Sequence, residues 1–110
     1  MDSKLMAGTA EMLILEVVSQ GRSYGYAIVQ TVTVRSGGGV DLKEGSLYPA
    51  LHRLERRKLL SSSWGEVDGR RRKYYKLTAA GRSILASKRQ EWLRFASGVN
   101  GVLGVECGLA

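Results

Sequence analysis

Apolar side chains recur at helical spacing in four stretches of this chain and at strand spacing in one. Between Thr9 and Gln20, the residues Met12, Leu13, Leu15, Val17 and Val18 give a wide apolar face. They predict a buried first helix, capped by Thr9 and ended by Gly21. Tyr24, Gly25 and Tyr26 open a second helix, with Tyr26, Ile28, Val29 and Val32 on its apolar side. Its last turn, Thr31 to Val34, is β-branched throughout, which weakens the helical preference there. Ser36 and the three glycines after it form a loop.

A third helix is predicted from Gly45 or Ser46 to Lys58. Leu47, Leu51 and Leu54 supply its inward stripe. Pro49 fits if it falls in the first turn, where backbone N–H groups have no helical partner in any case. Leu59 and Leu60 close the segment against the core. The period then changes to two. Asp68-Gly69 is a two-residue turn signal between two β-prone runs, so a hairpin follows. On its returning strand Arg71, Lys73, Tyr75 and Leu77 share one face. Arg72, Tyr74 and Lys76 take the other, which is expected to be polar and to face solvent or ligand.

Thr78 is placed to cap a long last helix. Leu85, Trp92 and Val99 are spaced seven apart along it, and Phe95 and Val102 repeat the spacing, with Lys88 interrupting once. This is a seam of about three heptads. Packing on the chain's own domain is one explanation. A small α/β core has little surface for so long a helix, so the same helix of a second copy is the expected cover. Gly98, Gly101, Gly104 and Gly108 are expected to fray the end.

The order helix, helix, helix, strand, strand, helix defines a mainly α (α+β) fold. It is the arrangement of a winged helix-turn-helix: three helices, a two-strand wing and a C-terminal dimerisation helix. The expected divisions are residues 1–77 for the winged domain, 78–104 for the dimerisation helix and 105–110 for a flexible tail.

Charge sharpens this picture. The 110 residues carry a net charge of +7. Between Lys43 and Lys76 lie ten Lys and Arg against four acids, so one third of the chain holds nearly all of the excess. A polyanion partner follows, with duplex nucleic acid ahead of an anionic membrane. Residues 12–18 are apolar but short and interrupted by Glu16, so neither a secretory signal nor a membrane span is expected, and the setting is cytoplasmic. The single cysteine, Cys107, excludes an internal disulfide. One His and one Cys cannot build a structural zinc site, and no cofactor is expected. There is no nucleophile triad, phosphate loop or dinucleotide fingerprint, so an enzyme is not expected.

Candidate contact residues fall in two groups. Ser46, Tyr48, His52 and Arg53 sit on the outward side of the third helix, where hydroxyls, an aromatic ring and a guanidinium suit phosphates and base edges. The alternatives are half-buried packing of Tyr48 on the second helix and plain solvation of His52. Arg70, Arg71, Arg72 and Lys73 make up the wing, and four adjacent cations repel one another unless a polyanion screens them. Gly69 serves the turn. Arg56, Arg57 and Lys58 read as a solvated face or as general phosphate attraction. Trp64 reads as a core or strand-face residue.

YGYAI at 24–28, EGSLYPALHRLE at 44–55 and GRRRKYYKLTAAGR at 69–82 closely resemble the PadR-like transcriptional regulators. The resemblance runs in consistent order from about Thr9 to Phe95. It implies a homodimeric DNA-binding regulator, commonly a repressor released by a small ligand, with the last helix as the dimer joint. The chain is similar to the branch with a short C-terminal region. By position the resemblance supports DNA contact at Ser46, Tyr48 and Arg53, and it matches Tyr24 to the second-helix aromatics. Tyr24 then reaches a phosphate or packs in the core. Leu85, Trp92, Phe95 and Val99 become dimer residues. Trp92 meets its symmetry mate, either as plain packing or as a sandwich for a small planar aromatic effector. The expected partner is double-stranded DNA with a palindromic operator. A winged module that binds an acidic protein or RNA is the alternative.

Overall fold

The leucine stripe of the third helix is where the core forms. The structure, a computed structural model, describes residues 3–105. The elements are α1 (Ser3–Ser19), α2 (Gly25–Arg35), α3 (Glu44–Arg56), β1 (Leu60–Val67), β2 (Arg70–Leu77) and α4 (Ala79–Leu103). Leu47, Leu51 and Leu54 of α3 are fully buried, together with Ile14 and Leu15 of α1, Ile28 of α2 and Leu60 of β1. Each such side chain contributes about 2 kcal/mol by leaving water. Residues 106–110, with Cys107, Gly108 and most of the expected tail, lie outside the described residues.

The first helix begins earlier than its apolar face suggests. It starts at Ser3, so Thr9 is an interior residue and not a cap. Its buried positions are Ala10, Ile14, Leu15 and Val18, while Met12, Leu13 and Val17 are only partly covered. A helix apolar on several sides does not declare from its sequence which side its neighbours will take. In α2 the expected apolar side is wrong at Tyr26, which is 62% exposed and accepts a hydrogen bond from Gln30 Nε2 at 2.8 Å. The buried residues are Gly25, Ile28 and Val32. Tyr26 lies two residues before Ile28, hence on roughly the opposite side of a helix with 3.6 residues per turn. The β-branched turn stays helical to Arg35.

Helix α3 starts at Glu44, where the Lys43 carbonyl accepts from Ser46 at 2.9 Å and from Leu47 at 2.8 Å. Pro49 therefore falls inside the helix and not in its first turn. It removes the donor that the Gly45 carbonyl would use. Both residues face solvent, so water can replace the missing bond. The helix stops at Arg56, two residues before the predicted end. Lys58 turns the chain in a left-handed conformation (φ 61°), and the Leu59 N–H closes back on the Leu54 carbonyl at 2.9 Å.

β1 and β2 pair antiparallel from Leu60↔Leu77 to Val67↔Arg70. Asp68 and Gly69 connect them with φ of 53° and 74°, both positive, as a hairpin turn matched to strand twist requires. Ser23 adds a short third rung: its N–H donates to the Tyr75 carbonyl at 3.0 Å, and the Tyr75 N–H donates back at 2.7 Å. The face of β2 predicted to be polar is not open at Tyr74, which is buried. Tyr24 meets its ring edge-on at 5.5 Å between centroids, and the Arg22 guanidinium sits 4.4 Å from it. Gly65 makes room, since a Cβ there would lie 2.9 Å from the Tyr74 ring.

Thr78 caps α4 as its position suggests, its hydroxyl accepting from Gly81 N–H at 2.9 Å. Leu85 is buried in the core. Beyond it α4 continues beside α1, where Arg89 meets Glu16 and Trp92 and Phe95 face Met12 across a shallow hollow. Gly98 and Gly101 do not interrupt it, and it ends at Gly104 in a left-handed turn (φ 72°), which replaces the fraying expected from its glycines. Trp92, Phe95, Val99 and Val102 are exposed along this extension.

Candidate nucleic-acid interface

Between the N-terminal end of α2, the outer side of α3 and the hairpin lies a groove of about 610 Å³. Tyr24, just before α2, and Tyr26 within it line one side, and Tyr48 and His52 line it from α3. Trp64, Arg70, Arg71, Arg72, Lys73 and Tyr75 line it from the hairpin. The fold thus gathers Tyr24, Tyr48, His52 and all four wing cations, drawn from segments up to 49 residues apart, around one opening. Ser46 and Gly69 are exposed but lie outside it, on the first turn of α3 and at the hairpin tip.

Tyr48 combines its two sequence readings. It is 44% exposed, yet its ring rests on α2 where Gly25 leaves space, a Cβ there lying 2.9 Å from the Tyr48 hydroxyl. Arg53 projects from the other flank of α3, toward α1. Its Nε donates to Glu11 Oε1 at 2.9 Å, and Arg57 Nη1 stands 3.6 Å from Oε2 of the same carboxylate. The Glu11 side chain is only 12% exposed, so one largely covered carboxylate orients two cations, one in α3 and one just past its end. A guanidinium held at Nε keeps its two terminal nitrogens for another acceptor.

The wing cations differ in their surroundings. Arg72 lies over the Tyr24 ring at 4.5 Å and Arg71 over the Trp64 ring at 4.9 Å. Both keep their charge available to an outside anion. Lys73 is committed inward, 3.2 Å from Glu55 Oε1, while the Ser62 hydroxyl donates to Glu55 Oε2. The Ser62 hydrogen bond, with Lys73 beside it, holds the Glu55 carboxyl below its ordinary value, and the hydrogen bond to Glu55 pushes Lys73 up. Burial pushes the Tyr75 phenol up. The Glu55 cluster fastens the hairpin base to α3. A carboxyl lowered by folding stabilises above its unfolded pKa, and that contribution is lost as pH falls through the folded value. Glu55→Gln is therefore expected to flatten the stability–pH curve below about pH 4.5 and leave its shape at neutral pH unchanged. Urea unfolding across the acid range measures this.

Gly25, Tyr26, Trp64 and Tyr75 also line the groove though none was a predicted contact, and two side chains at or near it are placed by long-range pairing. Arg22 stacks on Tyr74, and Trp64 stands 60% exposed beside Arg71. Neither belongs to a local pattern, since each is placed by strand pairing across the hairpin or to Ser23.

A trihelical core, a cationic hairpin beside the third helix and an open groove between them define a winged helix-turn-helix of the DNA-binding class. The sequence carries this further. The chain belongs to the family described as "Transcriptional regulator PadR-like family", whose profile matches residues 14–87. A solved protein from Streptococcus mutans UA159 is 40% identical, with 89% of each chain covered and a TM-score of 0.80. A transcriptional regulator from Clostridium thermocellum is 31% identical over 90% of this chain and 97% of its own, with a TM-score of 0.82. Transcriptional regulator Rv3488 of Mycobacterium tuberculosis is 48% identical over 52 residues, about half of each chain. By family the chain is a regulator of transcription and not an enzyme. No helix among the described residues is long and apolar enough to cross a membrane.

Proposed function

We propose that this chain is a homodimeric repressor that binds a palindromic duplex operator through α3 and the wing. Two copies join along α4, and a small planar aromatic ligand held near Trp92 releases the DNA. The groove carries this reading: α3 is narrow enough for a major groove, and the guanidinium groups of Arg70, Arg71 and Arg72 flank it on the side where the phosphate backbone would run. The joint rests on Trp92, Phe95 and Val99, an apolar seam left in water by a single copy. Trp92 and Phe95 also line a hollow of about 270 Å³ with Met12 of α1, a starting volume for a flat ligand completed by the second copy.

Selection of bound fragments from genomic DNA tests the reading. A motif with two-fold symmetry and half-sites about 10 base pairs apart is expected. Enrichment of single strands or RNA instead would overturn it. The joint has its own test. Val99→Lys sets a charge in the seam and is expected to shift sedimentation from two copies to one. A parent that sediments as one copy would end the dimer reading.

A further inference from the structure

Strand register places Trp64 on the hairpin face that looks toward α3. Its cross-strand partner is Lys73, one step farther from the core than the Ser62–Tyr75 pair on the same face. At that inner step the face is closed, because Ser62 is tied to Glu55 of α3 and Tyr75 is buried. One step out, α3 no longer covers it, and Trp64 is 60% exposed. The Arg71 guanidinium rests 4.9 Å from the indole centre. Trp64 lines the groove together with His52 of α3. A large amphipathic ring held open beside a stacked cation has much to gain from being covered, because aromatic side chains bury more area than any others.

We infer that Trp64 and Arg71 act as one contact on the DNA backbone, the indole lying against deoxyribose and the guanidinium reaching the adjacent phosphate. The inference rests on the duplex-binding reading of the same groove. With α3 in a major groove and the wing beside it, the strand bordering that groove passes between them, where Trp64 stands. Stacking on Trp64 restricts Arg71 before the DNA arrives, so less freedom is lost when it meets a phosphate. The two side chains then contribute differently. The indole adds apolar contact that salt does not weaken, and the guanidinium adds counterion release that salt does weaken.

The test measures duplex affinity over a range of salt for the parent, Trp64→Ala, Trp64→Phe and Arg71→Ala. Trp64→Ala is expected to bind about tenfold more weakly with an unchanged salt slope, and Trp64→Phe to recover most of the loss. Arg71→Ala is expected to flatten the slope by about one per copy. In fluorotryptophan-labelled protein, the fluorine resonance missing from Trp64→Phe should shift as duplex is added. All three substitutions are at exposed positions, so folding is expected to be preserved. Parental affinity in Trp64→Ala, or a Trp64 resonance that stays still while DNA is bound, overturns the inference and leaves the duplex reading standing. A Trp64→Ala protein that sediments as one copy overturns it too, by assigning the indole to the joint. A parent that binds no duplex overturns both.

Discussion

Gly81→Ala is expected to lower the melting temperature by more than about 10 °C. In an exposed helix the same change stabilises by up to about 1 kcal/mol, so the sign is the informative part. A Cβ at Gly81 would fall 2.2 Å from the Leu59 carbonyl oxygen and 2.7 Å from Leu77 Cδ1. The backbone carbonyl is the neighbour that cannot withdraw freely. The Leu59 carbonyl accepts the Thr78 N–H at 3.1 Å, and Thr78 caps α4 through the N–H of Gly81 itself. Moving α4 outward loosens the cap, worth about 1 kcal/mol, and opens the contact of Leu85 with the core. Gly45→Ala, where nothing lies within 4 Å, is expected to raise the melting temperature slightly. Circular dichroism melts decide both. A rise for Gly81→Ala would mean that α4 does not approach Leu59 so closely.

The second large effect is on binding. Replacing Arg70, Arg71, Arg72 and Lys73 together by alanine is expected to weaken affinity for every duplex by about a hundredfold or more at moderate salt. The loss should be similar for operator and unrelated DNA, because phosphate contacts carry no sequence information. The plot of log affinity against log salt should flatten by nearly one for each lost contact. Lys73 should account for little of this, since Glu55 already engages its charge. A triple variant that spares Lys73 should therefore behave almost like the quadruple. Filter binding across a salt series reads all of these outcomes. Undiminished affinity in the quadruple variant would remove the wing from the interface.

Much of the architecture could be read from the residues because it is local. The stripe Leu47, Leu51 and Leu54, the Asp68-Gly69 turn and the Thr78 cap each depend on neighbours within a turn or two, and each lies where its pattern places it. What stayed hidden depends on partners far along the chain. Glu11 meets Arg53 across 42 residues, and Ser23 pairs with Tyr75 across the whole of α2 and α3. Tyr74 is covered because Arg22 and Tyr24 arrive from outside the hairpin, so strand alternation mistook its face for a polar one. Tyr26 misled for a different reason: apolar character was taken as a sign of burial, although its angular position around α2 pointed away from Ile28. At the candidate interface the charge cluster was legible, but of the four α3 residues only Tyr48 and His52 line the groove, while Arg53 turns to Glu11 and Ser46 lies outside it. Which cations lean inward, as Lys73 does, and which rings stay uncovered, as Trp64 does, required the register.

The two acids of α1 have a mechanical meaning. Glu11 holds Arg53 of α3, and five residues on Glu16 accepts from Arg89 of α4. Each link is weak by itself, but together they fasten the reading rod and the long shaft to one strut. In a pair of chains hinged along their shafts, a wedge at the hinge would swing both rods as rigid bodies and change the span between them. Under the dimeric, ligand-released reading proposed above, span more than grip would be what the ligand alters. Both fastenings include exposed arginines, so ionic strength would act on the geometry of the tool as well as on its hold.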